Sequence, residues 1–371
     1  MKEHVKHSPL ISILGAGQLG RMLAMAGVPL GLRFRFLDPA TSAPAARLGP
    51  QIVASYDDAD ALASFVAGAD VVTYEFENVP VATARLLAQH LPVYPPPAAL
   101  EVAQDRITEK RFFQSLGIPT PPCMPVDDRA GLDAAMAQIG LPALLKTRRL
   151  GYDGKGQVLL RSPEDVEPAW QQLSPSPGSA ALILEGCVAF TRELSILAAR
   201  GYDGSTAFYP LVENTHRQGI LQRSCAPAPN LSPQLQILAE SYAQRVLDAL
   251  DYVGMLAIEL FEQGEQLLVN EMAPRVHNSG HWTIEGSETS QFEQHLRALL
   301  GLPLGSTMMR GYAAMLNIIG TPVDAAQVLT VPGAHLHLYE KDARPGRKLG
   351  HITVCAQNLE DLTERLRCLE E

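Results

Sequence analysis

Two apolar runs, Met255–Phe261 and Leu267–Val269, flank a Gln263-Gly264 turn, and each run leads to a glutamate, Glu259 and Glu271. This pattern predicts a β-hairpin with the two acids within a residue or so of register. Facing carboxylates repel unless a cation lies between them. Magnesium takes oxygen ligands, usually one or two carboxylates plus substrate phosphates, and Asn278 offers a third oxygen. The bland alternative turns one glutamate to solvent. The second strand runs into Asn270–Thr283, which holds a carboxylate, a guanidinium, two imidazoles and several amides and hydroxyls. Ordering and desolvating such groups is costly. The stretch therefore reads as a metal–nucleotide site with an anion beside it rather than a chance polar loop.

The rest of the chain must build around that hairpin. At 371 residues, two or three domains are expected. With 46% apolar and 19% charged residues the chain is globular rather than disordered. A net charge of −10 argues against a general nucleic-acid binder but leaves room for a local basic pocket. No apolar run reaches the roughly 18–20 residues of a membrane span, and residues 1–9 lack a secretory apolar core. The five cysteines are scattered, without a Cys-x-x-Cys pair. A disulfide framework and structural zinc are both disfavoured, and a reduced, cytoplasmic protein is expected.

In chain order, Leu10–Leu14 reads as a buried strand, Gly15-Ala16-Gly17-Gln18-Leu19-Gly20 as a tight turn, and 21–26 as a helix. Strand, Gly-x-Gly-x-x-Gly, helix is the dinucleotide pattern, and Asp38 ends the next strand where a ribose-binding acid sits. Alone this says NAD, although the same turn serves any Rossmann-like domain. Strand 70–74 ends in Glu75-Phe76-Glu77-Asn78-Val79-Pro80, which faces the ligand crevice of an open sheet or caps a helix. Tyr94-Pro95-Pro96-Pro97 marks a boundary. A helix over 98–116 carries Arg106 and Lys110, and a strand over 143–147 carries Lys146, either solvated or a phosphate ligand. Gly151-Tyr152-Asp153-Gly154-Lys155-Gly156-Gln157 lies between two strands. It is not a Walker loop, since Lys155 precedes Gly156 and then a strand, and it suits a cover over phosphates. Glu193 either pairs with Arg192 or binds a ribose hydroxyl, and His216 alone reads as a loop histidine. The basic stretch 339–351, with Arg347 and Lys348, suits a phosphate monoester or a solvated turn.

These motifs together resemble the ATP-grasp superfamily of carboxylate–amine ligases. Gly-Ala-Gly-Gln-Leu-Gly-Arg-Met, Tyr-Glu-Phe-Glu-Asn-Val-Pro, Gly-Tyr-Asp-Gly-Lys-Gly, Glu-Asn-Thr-His-Arg, the stretch 270–283 and Gly-Arg-Lys-Leu-Gly-His resemble the N5-carboxyaminoimidazole ribonucleotide synthetase family, from Ile11 to about Asn358. The resemblance implies an α/β fold, α+β in its centre. It divides into a Rossmann-like domain (1–97), a two-lobed ATP-grasp domain (98–301, lid roughly 120–187) and a small β-rich domain (302–371). It implies an ATP site in which Arg106, Lys146 and 151–157 hold phosphates. Glu185-Gly186-Cys187-Val188 would meet adenine through backbone, although Gly186-Cys187 is smaller than the family's usual residues. Glu193 would bind ribose, His216 would line the pocket, Asn270 and Glu271 would close it, and Glu259 and Glu271 would hold magnesium. Gln18, Glu75, Asn78, Arg275, His277, Asn278, Ser279, Arg347 and Lys348 would hold the ribonucleotide.

The implied reaction joins bicarbonate to 5-aminoimidazole ribonucleotide at the expense of ATP, through carboxyphosphate. Arg275, with its planar fork, would grip bicarbonate, and His277, Tyr152 and Lys348 complete the expected catalytic set. A homodimer, without nucleic-acid or membrane partners, is implied. The competing readings are a formate-using glycinamide ribonucleotide transformylase, an NAD-dependent dehydrogenase and a non-catalytic nucleotide-binding regulator.

Overall fold

The computed structural model describes residues 8–151, 154–173 and 181–370. The N-terminal sheet is parallel, with β1 (Leu10–Leu14), β2 (Arg33–Leu37), β3 (Gln51–Ile52) and β4 (Val71–Tyr74) in the order β3-β2-β1-β4. The strands β1 and β4 are buried along their whole length, as continuous apolar runs in a covered parallel sheet should be.

A second, antiparallel sheet comprises β5 (Cys123–Val126), β6 (Ala143–Thr147), β7 (Gln157–Leu160) and β8 (Leu182–Gly186), in the order β5-β8-β6-β7. The third has nine strands: β9 (Arg192–Arg200), β10 (Thr206–Phe208), β11 (Val212–Arg217), β12 (Ile220–Ala226), β13 (Gly254–Gln263), β14 (Gln266–Ala273), β15 (Tyr312–Ile319), β16 (Ala334–Leu338) and β17 (Lys348–Ala356). Its order is β14-β13-β9-β11-β12-β15-β17-β16, with β10 on β9. The three C-terminal strands thus extend the sheet that carries the Glu259–Glu271 hairpin.

One apolar cluster joins the first and third sheets, with Ile11, Phe34, Leu197, Met255, Trp282 and Leu296 among its members. His295, on the helix Gln291–Leu299, pins them together. Its Nδ1 accepts the Met255 N–H at 3.0 Å, and its Nε2 lies 2.9 Å from Thr73 Oγ1 on β4. The C-terminal end of β4 is thereby held against the hairpin.

The helix expected over 98–116 is two helices, Pro97–Ala103 and Arg106–Ser115. Asp105 breaks it by capping the second helix, accepting the N–H groups of Ile107 and Thr108. The same carboxylate takes Arg148 at 2.9 Å and Arg149 at 3.2 Å. The break aims Arg106 at the hairpin. Capping by Glu75 or Asn78 before Pro80 does not occur, because Pro80 itself is the cap residue of helix Val81–Ala88 and no side chain bonds there.

Candidate active site

β13 and β14 pair with Glu259 directly opposite Glu271, and the register shifts between Glu259 and Leu260. Arg106 donates to Glu271 Oε2 at 2.8 Å. Burial opposes a charge on Glu271, but Arg106 outweighs it and holds the carboxyl below its ordinary range. Burial and the charge of Glu271 instead push Glu259 up to about 7. Two facing acids whose mutual repulsion and burial raise the pKa of one of them fit a hard divalent cation. The third oxygen expected from Asn278 is turned away. Its amide exchanges two hydrogen bonds with Asn317 of β15, at 3.0 and 2.6 Å, so Asn278 reads as a brace between the loop and the sheet and not as a metal ligand.

The cations of the nucleotide side are matched to carboxylates. Lys146 Nζ lies 2.8 Å from Glu185 Oε2, and Lys110 Nζ lies 3.8 Å from Oε1. Burial would raise the carboxyl of Glu185, but Lys146 and Lys110 hold it down to about 2. The Glu185 side chain thus serves the lysines, a role the backbone-hinge expectation did not contain. Lys110 also donates to the carbonyl of Asn270. Its participation had no sequence signal beyond its place one helical turn after Arg106. The amides of Gly186 and Cys187 bond to the carbonyls of Pro122 and Pro142, at 2.8 and 3.2 Å, and Val188 lies just past β8. Asn270 keeps a buried side-chain oxygen without a partner, beside Glu271 on β14.

The glycine-rich stretch is a strand-loop-strand. β6 and β7 pair as far as Lys146 and Gln157, and no Walker-type helix follows. Gly154 and Gly156 have φ of +74° and +71°, conformations that favour glycine. A Cβ on Gly154 would lie 2.6 Å from the Gln218 carbonyl, so the loop touches the β11–β12 turn and Lys155 is exposed. Gly151 packs near Thr147 and Arg106. Tyr152 and Asp153 lie outside the described residues.

Arg192 and Glu193 do not pair, because neighbours on a strand face opposite ways. Arg192 bonds Glu262 at 2.6 Å and Glu213 at 3.0 Å, while Glu193 meets His216 Nδ1 at 2.9 Å. Burial opposes a charge on His216, but Glu193 and Glu259 raise its pKa.

The loop after β14 carries Arg275, His277 and Ser279, and each is held by a named partner. Arg275 binds Glu77 through Nε and the Val276 carbonyl at 2.9 Å through Nη1. Burial opposes a charge on Glu77, but Arg275 holds it below the carboxylate range. His277 Nε2 lies 3.4 Å from Glu259 Oε1. Burial, Arg275 and Lys348 drop His277 to about 3, so it is neutral. Ser279 is a correction: it is 0% exposed, so it cannot meet a ribonucleotide, and it bonds His277 Nδ1 at 2.9 Å.

At the N-terminal sheet, both oxygens of Glu75 are engaged. One accepts from Gly17 N–H and the other from Gly20 N–H at 2.6 Å. The anion position of the glycine turn is thus filled by the protein's own carboxylate. Burial nonetheless raises the pKa of Glu75. Glu75 reads as a holder of the turn rather than a free substrate ligand. Asp38 Oδ2 accepts the Ala16 N–H at 2.9 Å and also buttresses that turn. A dinucleotide pyrophosphate has no place there, which removes the dehydrogenase reading. Gln18 accepts from Lys341, and Asn78 lies in the groove with Glu77, Arg106 and Glu271. Arg347 Nη1 donates to the Asp342 carbonyl at 3.2 Å, and Lys348 opens β17.

Three domain families match the chain: a ribonucleotide synthetase preATP-grasp domain over 9–104, an ATP-grasp domain over 111–292 and a phosphoribosylaminoimidazole carboxylase C-terminal domain over 313–365. The N5-carboxyaminoimidazole ribonucleotide synthase of Pseudomonas aeruginosa is 54% identical over 97% of this chain and 98% of its own. The chain belongs to this family of ATP-grasp ligases. The Thermus thermophilus N5-carboxyaminoimidazole ribonucleotide synthetase has the same fold, with TM-score 0.92 and 59% identity over 97% of each chain. An Aspergillus clavatus family member, solved with ADP and 5-aminoimidazole ribonucleotide, gives TM-score 0.90 and 31% identity over 98% of each chain. Family membership removes the regulator and transformylase readings.

Proposed function

We propose that the chain uses ATP and bicarbonate to carboxylate 5-aminoimidazole ribonucleotide, giving N5-carboxyaminoimidazole ribonucleotide, ADP and phosphate. Beyond family membership, the observation that carries this is the facing Glu259–Glu271 pair, with Arg106 on one side and His277 on the other. Bicarbonate is a poor electrophile. A bicarbonate oxygen attacks the γ-phosphorus of ATP, the bond to the β-phosphate oxygen breaks, and ADP leaves. The exocyclic amine then attacks the carboxyl carbon of carboxyphosphate, phosphate departs, and the amine loses a proton.

Arg106, Lys146 and the 151–157 loop serve the phosphates. Glu193 and His216 serve the ribose side, and the hinge 185–188 serves adenine. Glu259 and Glu271 would hold magnesium, which neutralises phosphoryl charge when bound. Arg275, fixed by Glu77, offers its remaining guanidinium edge to bicarbonate, with Lys348 near His277. Gln18, Asn78, Arg347 and Lys348 flank the ribonucleotide. The loop excludes water from a reactive acyl phosphate.

On the same reading the chain divides into 1–97, 98–301 and 302–371. It works as a cytoplasmic homodimer, which sedimentation at micromolar concentration tests. Among the described residues no helix is long and apolar enough to cross a membrane. The function is tested by ADP release with 5-aminoimidazole ribonucleotide, with and without bicarbonate, using formate and glycinamide ribonucleotide as controls. Release indifferent to bicarbonate and to the aminoimidazole defeats the reading.

A further inference from the structure

We propose that Ser279, Ser195, Asn214 and Ser224 are positioning residues that lock His277 in its Nε2–H tautomer. His277 then serves the site as a hydrogen-bond donor and not as a proton acceptor. The inference rests on the reading that places His277 at the reacting groups.

Ser195 on β9, Asn214 on β11 and Ser224 on β12 sit on one face of the nine-stranded sheet. Asn214 is in register with Ser224 and with Glu193, two residues from Ser195, and Ser195 is in register with Glu259. Ser195, Ser224 and Ser279 are 0% exposed and Asn214 is 5% exposed. A buried hydroxyl or amide left without a partner is costly, so such groups persist only when joined. These four are joined in series. Ser224 Oγ donates to Asn214 Oδ1 at 2.7 Å, and Asn214 Nδ2 donates to Ser195 Oγ at 3.0 Å. Ser195 Oγ donates to Ser279 Oγ at 2.9 Å, and Ser279 Oγ meets His277 Nδ1 at 2.9 Å.

Hydroxyls and amides in a chain can all reverse together, so the direction needs a fixed end. The backbone supplies it. The Ser279 N–H points at His277 Nδ1 at 3.3 Å, because His277 caps the short turn Asn278–Gly280. A backbone N–H can only donate, so Nδ1 accepts, and a neutral ring then carries its proton on Nε2. The backbone of His277 is itself clamped by Gln291, whose amide accepts the His277 N–H at 2.9 Å and donates to its carbonyl at 2.7 Å. Nε2–H is therefore on the Glu259 side of the ring, with Nε2 3.4 Å from Glu259 Oε1. The ring's lone pair faces the buried serines, where no substrate proton can reach it. A fixed donor of this kind orients a metal-binding carboxylate or meets an oxygen on which charge develops.

The tautomer is read by long-range proton–nitrogen correlation on 15N-histidine-labelled full-length chain without substrates, with His277 assigned through His277→Gln. The expected signal shows Nε2 protonated and Nδ1 bare, and protonation at Nδ1 overturns the proposal. A double-mutant cycle reads the relay. Ser279→Ala is expected to lower kcat about tenfold, the low end for an outer-shell partner, with KM for ATP unchanged. In a His277→Ala background it should cost less than twofold. An equal loss in both backgrounds would mean Ser279 acts independently of His277 and would overturn the relay. Should Ser279→Ala not fold, Ser195→Ala takes its place in the cycle with the same two outcomes. The tautomer needs no turnover, so it stands even where bicarbonate-dependent activity fails.

Discussion

Glu75→Ala removes the anion that the protein places in its own glycine turn. In the wild type, the carboxylate accepts from Gly17 and Gly20, at the first turn of helix Gln18–Gly27. A hydrogen bond to a charged group contributes about 1.5–3 kcal/mol, so the two amount to roughly 3–6 kcal/mol gross. Burial works against the ionised carboxyl, as its raised pKa records, and the alanine variant is relieved of that cost. The net loss is then on the order of 2–4 kcal/mol, with two backbone N–H groups left facing a void. Spread over the unfolding entropy of 371 residues, that loss should lower the melting temperature followed by circular dichroism by about 3–5 °C. The vacated cradle also becomes a receptor for an outside anion. Millimolar inorganic phosphate should recover part of the loss in the variant beyond its effect on the wild type, with potassium chloride of equal ionic strength as the control. A variant that melts with the wild type, or phosphate that raises both equally, refutes the argument that Glu75 fills the anion position.

Arg275→Ala should lower turnover at least a hundredfold, by the ~2.7–4 kcal/mol typical of removing one charge-stabilising donor, and should leave the half-buried Glu77 without its cation. Adding Glu77→Gln should restore the melting temperature but not turnover. Near-wild-type steady-state kinetics for the single variant would contradict this. Burial and Glu271 raise Glu109 from 4.5 to about 8, so the folded chain keeps a proton that the unfolded chain loses. That difference removes stability as pH rises from about 4.5 to about 8 and adds nothing further outside the window. Glu109→Gln, which keeps an acceptor for the Met272 N–H, should match the wild type in melting temperature near pH 4 and exceed it near pH 9; the same offset at both pH values would refute the assignment. Glu259→Gln should relieve the repulsion with Glu271 without loss of fold, while weakening magnesium-dependent ADP binding at least tenfold by calorimetry. Equal affinity with and without magnesium in the wild type would remove the metal role.

The parts legible in the sequence were those within one element or one turn. The Glu259–Glu271 pairing follows from an apolar period and a Gln263-Gly264 turn, and the strand-loop-strand around 151–157 follows from glycines between two apolar runs. What was not legible is contact across long loops. Glu185 finds Lys146 because β6 and β8 are neighbours, and Glu77 finds Arg275 from the far side of the chain. A carboxylate carries no mark of which cation it will meet. Ser279 illustrates the same limit, since a serine in a polar loop reads as a ligand until Ser195, from another strand, is seen to bury it. The Arg192–Glu193 pair failed for a reason that was available: strand alternation separates neighbours. Glu75 follows β4 where a ligand crevice is expected, but which partner it faces, an incoming substrate or its own backbone, depends on the glycine turn after β1.

On the proposed function, one loop joins two half-reactions, phosphoryl transfer to bicarbonate and carboxyl transfer to an amine. Running the reaction with ATP, 5-aminoimidazole ribonucleotide and 18O-labelled bicarbonate tests this most directly, with the released phosphate examined by phosphorus NMR. The oxygen that bridges carbon and phosphorus in carboxyphosphate should leave with phosphate, giving one 18O in each phosphate formed alongside the carbamate. Phosphate free of 18O, with carbamate still produced, would mean that bicarbonate is never phosphorylated and would contradict the account.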